Sequence, residues 1–365
     1  MRHLIIILIA TITFSSCKTK NDGFNISGHI EGIKDSILIT LYDLDQQINL
    51  DSAFSINGYF ELSGKVEYPT GCWIKCQDEY ANIQVENVNM SFTSPIKDMH
   101  LNSLITGGTE QELQNELMKL QKPYDLIYYG AYDSLMNKKY PNDEVKQSLI
   151  KKFNESQKTL HDIYIDFGKR HSDSYMGLDI VYMNRKSIDK DTLQAIFEKL
   201  PISIKSSPTA NALKVFLFEE VAEVGKPFID FEVSSIDGKE FKLSSLKGNY
   251  IYLCFWSAGC GPCLMEIKFL SEHYNEVPED LSIVSFSIDK NIDAWKKASE
   301  MNNITWHNVS DKEGDKGKIK TQYQVQAIPT SFLIDKEGII IKRFTGFDTD
   351  GNIIAQLKGI IAEKK

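Results

Sequence analysis

The sequence predicts an α/β protein in which a C-terminal mixed sheet with flanking helices follows a small antiparallel β domain and a helical segment. Three observations carry this expectation. Strand-like and helix-like runs alternate after about Val224, residues 24–95 show period-two patterning with turn signals, and residues 109–221 carry apolar side chains at helical spacing. At 365 residues the chain is too long for one such domain, and two or three units are expected.

In chain order, Arg2 and His3 precede the apolar run Leu4–Ala10, and apolar character ends near Phe14. That run is shorter than the roughly 20 residues a bilayer span needs. A charged start and an apolar centre are the pattern of an export signal. Phe14-Ser15-Ser16-Cys17 is similar to a lipoprotein box, in which Cys17 becomes the lipidated N-terminus; the alternative is an ordinary signal with an incidental cysteine. Residues 1–17 are therefore read as signal and box, and 18–23 as a polar tether.

Residues 24–108 read as β. Phe24 and Ile26 alternate with polar neighbours, Ser36–Tyr42 is rich in β-formers, and Ile56-Asn57-Gly58-Tyr59 is a hairpin turn signal. Cys72 and Cys76 fall here. On an extended strand they would point the same way but stand about 13 Å apart, beyond disulfide reach, so buried inert thiols are expected.

Residues 109–221 read as helical. Thr109 with Glu112 has the spacing of a capping box, and Pro123 is expected to end or kink the helix that follows. Further helices are expected over 142–170, 191–200 and 209–221, with a local break at Lys205-Ser206-Ser207-Pro208. Tyr124, Tyr128, Tyr129 and Tyr132 form either a substrate-facing surface or ordinary packing between helices.

Residues 222–365 carry the chemistry. Strand 250–256, helix 263–275, strand 281–288 and helix 292–301 make a βαβα run, with Asp289 as candidate cap of the second helix. Strands 330–335 and 339–344 and a helix near 351–363, opened by Asp350 or Asn352, complete the mixed sheet. Between the first strand and helix lies Cys260-Gly261-Pro262-Cys263. A sulfur at a helix N-terminus meets unpaired N–H groups and the positive end of the macrodipole, which favour thiolate over thiol. A thiolate with a second thiol one turn away suits thiol–disulfide exchange. Zinc binding would need a second Cys or His pair, whereas His273 and His307 stand alone; a structural disulfide is the other alternative.

Residues from about Val224 onward resemble the thioredoxin superfamily, and within it the TlpA/ResA-like envelope thiol-disulfide oxidoreductases. The resemblance rests on Trp256 with Cys260-Gly261-Pro262-Cys263, on Ala327-Ile328-Pro329-Thr330, on Val224-Gly225-Lys226-Pro227-Phe228 with Asp237-Gly238-Lys239 and Leu243–Gly248, and on Phe332–Gly338. It implies a thioredoxin fold, a cis bond at Pro329, and an Ile328 backbone facing the cysteines and open to an extended substrate, with Trp256 shielding the sulfurs. It also implies that Cys254 stands where thioredoxins carry a buried Asp, and that Glu266 matches the group's active-site Glu. At i+3 from Cys263 on one helix face, Glu266 is expected to sit in a half-buried cleft and to handle the Cys263 proton. Cys254 reads as a buried strand residue. Lys268 replaces a helix-kinking proline, so a straighter helix is expected. Residues 24–108 resemble, by position and pattern, the β domain of unassigned function that precedes thioredoxin domains in envelope lipoproteins.

The expected function is reduction of protein disulfides by a lipid-anchored protein of the bacterial envelope that faces the periplasm. Its partners would be protein disulfides or dithiols, such as those of cytochrome c maturation, and an electron-donor thiol protein. No cofactor or metal is called for. The net charge of −9, with no long basic run, disfavours nucleic-acid binding. Two alternatives stand beside it. One is a binding or sensing lipoprotein that recognises a partner through its β and helical regions. The other is a thiol peroxidase, although Leu253 occupies the position seven before Cys260 where a Thr or Ser is needed.

Overall fold

The computed structural model describes residues 22–347 and 353–364. The signal run, the lipobox with Cys17, and the helix-opening candidates Asp350 and Asn352 lie outside the described residues.

The N-terminal strands are β1 (Phe24–Glu31), β2 (Leu38–Asp43), β3 (Ile48–Phe54), β4 (Tyr59–Gly64), β5 (Thr70–Cys76), β6 (Glu79–Val85) and β7 (Asn89–Pro95), followed by α1 (Met99–Asn102) and β8 (Leu104–Thr106). They form two sheets of order β4-β1-β7-β8 and β3-β2-β5-β6. Alternate residues such as Ile26, Ile39, Leu41, Ile74, Ile83 and Phe92 turn inward into one shared core. The pairing is antiparallel except between β1 and β7. Asn57 and Gly58 take the positive φ values, 52° and 84°, that a tight hairpin turn requires. The hairpin itself is confined to the Ile56–Tyr59 bridge. Its flanking strands then part, β3 to one sheet and β4 to the other, so the turn links two layers. Cys72 and Cys76 on β5 are fully buried free thiols.

The helical segment comprises α2 (Thr109–Met136), α3 (Asp143–Arg170), α4 (Tyr175–Met183), α5 (Lys190–Lys199), α6 (Ile202–Lys205) and α7 (Pro208–Phe218). Two expectations are corrected here. No capping box forms at Thr109, which is already helical behind a Gly108 cap without a side-chain bond. The Glu86 carboxylate, at the end of β6, instead accepts the Thr109 and Glu110 N–H groups at 2.9 and 2.7 Å. A negative charge brought by the fold thus satisfies the orphan donors of the first turn. Nor does Pro123 end α2, which runs on to Met136. Tyr128 and Tyr132 beyond the proline stack on Phe153 of α3, at 4.8 and 6.3 Å between ring centroids. That interhelical packing offsets the roughly 3 kcal/mol that an interior proline costs. Helix α4 is an addition to the expected elements. Ser174 caps it, and Glu110 reaches across to accept the N–H groups of Tyr175 and Met176.

The C-terminal domain contains β9 (Glu232–Ser235), β10 (Glu240–Lys242), β11 (Tyr250–Trp256), α8 (Gly261–Glu272), β12 (Leu281–Ser287), α9 (Ile292–Met301), β13 (His307–Ser310), α10 (Lys318–Gln322), β14 (Thr330–Ile334), β15 (Ile340–Thr345) and α11 (Ile353–Ala362). The sheet order is β10-β9-β13-β12-β11-β14-β15, with β11 parallel to β12 and antiparallel to β14. Every residue of β11 is buried, as a central strand covered on both faces requires. One face packs Phe255, Phe286, Tyr323 and Phe332, and the other packs Tyr252, Cys254, Trp256, Leu270 and Trp295. Helix α8 is continuous through Lys268. The cap of α9 is Asn291, which accepts the Ala294 N–H; Asp289 is turned to another task.

The three parts meet beside two loops of this domain. Asp45 of the β2–β3 turn pairs with Lys290 at 2.6 Å, and the Asn291 amide donates to the Gln47 carbonyl at 3.3 Å. On the helical side, Tyr182 and Thr321 share a 2.7 Å hydrogen bond, and Lys186 donates to the Gln324 carbonyl at 3.0 Å.

Candidate active site

Strand β11 ends at Trp256 inside the sheet, and a short loop then hands the chain to α8. Cys260 is the N-cap of that helix, with extended backbone, and its Sγ accepts the Cys263 N–H at 3.2 Å. Gly261 and Pro262 open the first turn and are exposed; a Cβ at Gly261 would meet nothing within 4 Å. Proline suits this position because its missing N–H is one of the helix's orphan donors. Cys260 and Cys263 form a disulfide with α-carbons 5.2 Å apart. The two sulfurs are inequivalent, since Cys263 is fully buried while Cys260 is partly exposed.

The Ile328–Pro329 bond is cis, and the Ile328 carbonyl oxygen lies 3.7 Å from Cys260 Sγ. The Ile328 side chain is only partly buried, so this loop and the exposed sulfur share one surface. Trp256 is fully buried in the same layer as Cys263.

Glu266 departs from the expected half-buried cleft. It is 2% exposed and accepts hydrogen bonds from Tyr252 Oη at 2.7 Å, Cys254 Sγ at 3.3 Å and Ser331 Oγ at 3.5 Å. The side chain points from α8 onto β11 and β14, because the sheet offers donors there. Burial raises its pKa, and the three hydrogen bonds, which favour the charged form, only partly oppose that rise. The same burial, with the Glu266 charge adding to it, pushes the Cys254 thiol and the Tyr252 phenol upward, so both stay protonated donors. A cavity of about 120 Å³ lined by Phe344, Thr345 and Gly346 reaches Tyr252 and Glu266, which is room enough for water.

Asp289 belongs to the site, although sequence spacing suggested only a helix cap. Its oxygens accept the Ala258 N–H at 2.9 and 3.1 Å, and one takes the Ser287 hydroxyl at 2.7 Å. It is buried, and burial raises its pKa. The contact pins the loop two residues before Cys260. The sole sequence signal for it is position at the end of β12, next to β11 in the sheet.

Comparison with known proteins extends these observations. The AhpC/TSA family model matches residues 224–343. The thiol-disulfide oxidoreductase ResA of Bacillus thuringiensis is 34% identical over 146 residues, 40% of this chain and 83% of that protein. The chain belongs to the ResA family of thiol-disulfide oxidoreductases. ResA of Bacillus subtilis is 28% identical over 140 residues, 38% of this chain and 76% of that protein. Among solved structures, StoA of Bacillus subtilis is 27% identical, covering 37% of this chain and 97% of that one, with a TM-score of 0.31. A thiol-disulfide oxidoreductase from Bacteroides fragilis is 25% identical over 37% of this chain and 99% of that one, with a TM-score of 0.33. Ahead of the oxidoreductase domain, residues 24–114 match a domain of unknown function, DUF4369.

Proposed function

We propose that this oxidoreductase reduces protein disulfides through the Cys260-Gly261-Pro262-Cys263 dithiol, held in the bacterial envelope by a lipid on Cys17. The observation that carries the reading is the inequivalence of the two sulfurs at one helix N-terminus: Cys260 partly exposed as cap, Cys263 buried one turn on. In the reduced protein the Cys260 thiolate attacks one sulfur of a substrate disulfide, and the other substrate sulfur leaves as a thiolate that takes up a proton. Cys263 then passes its proton to Glu266 and attacks Cys260 Sγ. The mixed bond breaks, the second substrate thiol departs, and the Cys260–Cys263 disulfide remains. Two electrons move from the dithiol to the substrate, and a donor thiol protein restores them.

The reducing direction is supported by the Gly-Pro pair between the cysteines, which thioredoxin shares at about −270 mV, against about −120 mV for the oxidant DsbA. Ile328 lines the substrate side, with Gly261 and Pro262 as its exposed floor, while Trp256 and Pro329, expected there from sequence, are buried behind it and can only support that surface. Glu266 suits the proton role because burial raises its pKa, which makes its carboxylate a better proton acceptor than a solvated one. We read the chain as signal and box 1–17, tether 18–23, β domain 24–108, helical region 109–221 and redox domain 222–365. No helix among the described residues is long and apolar enough to cross a membrane.

The test is a Cys263→Ser variant expressed in the native host. Resolution is blocked in it, so mixed disulfides between Cys260 and envelope proteins should accumulate and be identifiable by mass spectrometry. Capture no greater than with a Cys260→Ser, Cys263→Ser double variant would overturn the exchange role.

A further inference from the structure

We propose that an aromatic track on the outer face of the β3-β2-β5-β6 sheet binds an extended polypeptide and feeds its cysteine to Cys260. The proposal rests on the exchange reaction above and adds the recognition surface that goes with it.

The inward residues of β2, β5 and β6 build the β-domain core, so Tyr42, Trp73, Lys75, Tyr80 and Asn82 face outward. Strand register sets Tyr42 opposite Trp73 and Lys75 opposite Tyr80. Successive ring centroids lie 6.3 Å (Tyr42–Trp73), 5.2 Å (Trp73–Tyr80), 5.6 Å (Tyr80–His100) and 6.1 Å (His100–Tyr129) apart. Lys75 Nζ sits over the Tyr42 and Trp73 rings at 3.8 and 4.8 Å, and the Trp73 indole donates to the Asn82 amide oxygen at 2.8 Å. These contacts fix the inner rings in place. Beyond Trp73 the rings are open, with Tyr80 39% and Tyr129 46% exposed.

Both ends of the track are informative. At the far end, between the sheet, residues 100–106 and α2, a cavity of about 530 Å³ is lined by Tyr80, His100, Tyr129, Leu104 and Met118, with Asn82, Gln114 and Asn115 among its polar groups. At the near end, the turn after Tyr42 is locked to Lys290 and Asn291 by the contacts of Asp45 and Gln47. Tyr42 is close enough to Asp289 that, after burial, that carboxylate is the next cause raising its phenol pKa. Asp289 in turn holds the loop leading to Cys260. The track therefore starts beside the Asp289–Asn291 segment, whose Asp289 holds the active-site loop, and ends in a cavity.

The occupant follows from spacing and chemistry. In an extended chain, alternate side chains on one face are about 6.6 Å apart, near the ring-to-ring steps of this track. Aromatic faces accept apolar and aromatic side chains, and the cavity's amides suit peptide N–H and C=O groups. Folded proteins bury such segments, so the partner that fits is an unfolded or misoxidised chain. Tethering it beside the sulfurs raises the effective concentration of its disulfide.

The full-length protein should be assayed on three disulfides: a small aromatic disulfide, a twelve-residue peptide disulfide with aromatic residues at alternate positions, and the same peptide with serines there. Tyr80→Ser with Tyr129→Ser should raise KM for the aromatic peptide about tenfold. Turnover of the small disulfide by that variant should be unchanged, which also establishes that it is folded. Equal loss on all three substrates, or no preference of the unsubstituted protein for the aromatic peptide, overturns the track while leaving exchange intact. An unsubstituted protein inert to every disulfide would sink the exchange reading instead. Fluorescence anisotropy of the peptide on a Cys260→Ser, Cys263→Ser protein then decides the track alone: binding lost with Tyr80→Ser and Tyr129→Ser supports it. Binding of a labelled glucan oligosaccharide to that protein, with no binding of the peptide, overturns it in favour of a glycan surface.

Discussion

Two cysteine pairs lie in this molecule at nearly the same sequence spacing and have opposite chemistry. Cys260 and Cys263 sit on a helix start, where three residues bring the α-carbons to 5.2 Å, the first sulfur accepts a backbone N–H, and a disulfide forms. Cys72 and Cys76 sit on strand β5, where four residues of extended chain span about 13 Å. Both are free and fully buried, and burial pushes both thiols upward, with Asp43 adding to the effect at Cys72 and Glu79 at Cys76. One pair has helix N–H groups to stabilise a thiolate and an exposed member to use it; the other has neither. Reactivity here follows backbone geometry and solvent access, with sequence spacing secondary.

The contrast can be broken most decisively at its reactive end. Cys260→Ser should lower protein-disulfide turnover by roughly three orders of magnitude or more, the scale of losing a nucleophile, while Cys72→Ala with Cys76→Ala leaves turnover intact. A steady-state assay that ranked the two variants equally would undo the distinction. Glu266→Gln should slow resolution of the mixed disulfide by about 10²-fold, measurable in single-turnover quench experiments. The same variant carries a stability signature. Burial raises the folded-state pKa of Glu266 above its usual 4.5, so its contribution is fully present below that value and lost as pH rises through the raised one. Denaturant titrations from pH 4 to 8 should show the wild type losing ground to the Gln variant as pH increases; a constant gap would contradict the burial. In the reduced protein, an alkylating reagent at neutral pH should modify Cys260 first and leave Cys72, Cys76 and Cys254 untouched until unfolding, as read by peptide mass mapping. The smallest effect expected is on stability alone, where Cys72→Ala should cost about 1 kcal/mol through a small core cavity in chemical denaturation.

Much of the redox domain was legible because its signals are local. An apolar run that must be a covered strand, a Cys-Gly-Pro-Cys turn and an amphipathic helix each declare themselves within a dozen residues. Legibility failed where a distant group supplied what a local one could have. Thr109 and Glu112 had capping-box spacing, yet Glu86, just past strand β6, caps the helix. Pro123 had the local cost of a helix breaker, and α3 packing outweighs it. Asp289 stood two residues before a helix cap, and the sheet order β12-β11 turned it to Ala258. The aromatic track is the extreme case, since its rings come from β2, β5, β6, α1 and α2 and share no sequence period.

By itself the sequence pointed to Cys260 and Cys263 as the candidate sulfurs, to the domain that carries them and to Glu266 on the same helix, since all are set by residue type within one strand-turn-helix unit. Only the tertiary structure decided that Glu266 is sealed against Tyr252, Cys254 and Ser331, that Asp289 pins the active-site loop, and that the β domain docks on Lys290 and the helices on Thr321. The physical reason is that burial and hydrogen-bond partners are properties of neighbours in space. Those neighbours are chosen by sheet order and domain docking, and local chain chemistry does not encode either.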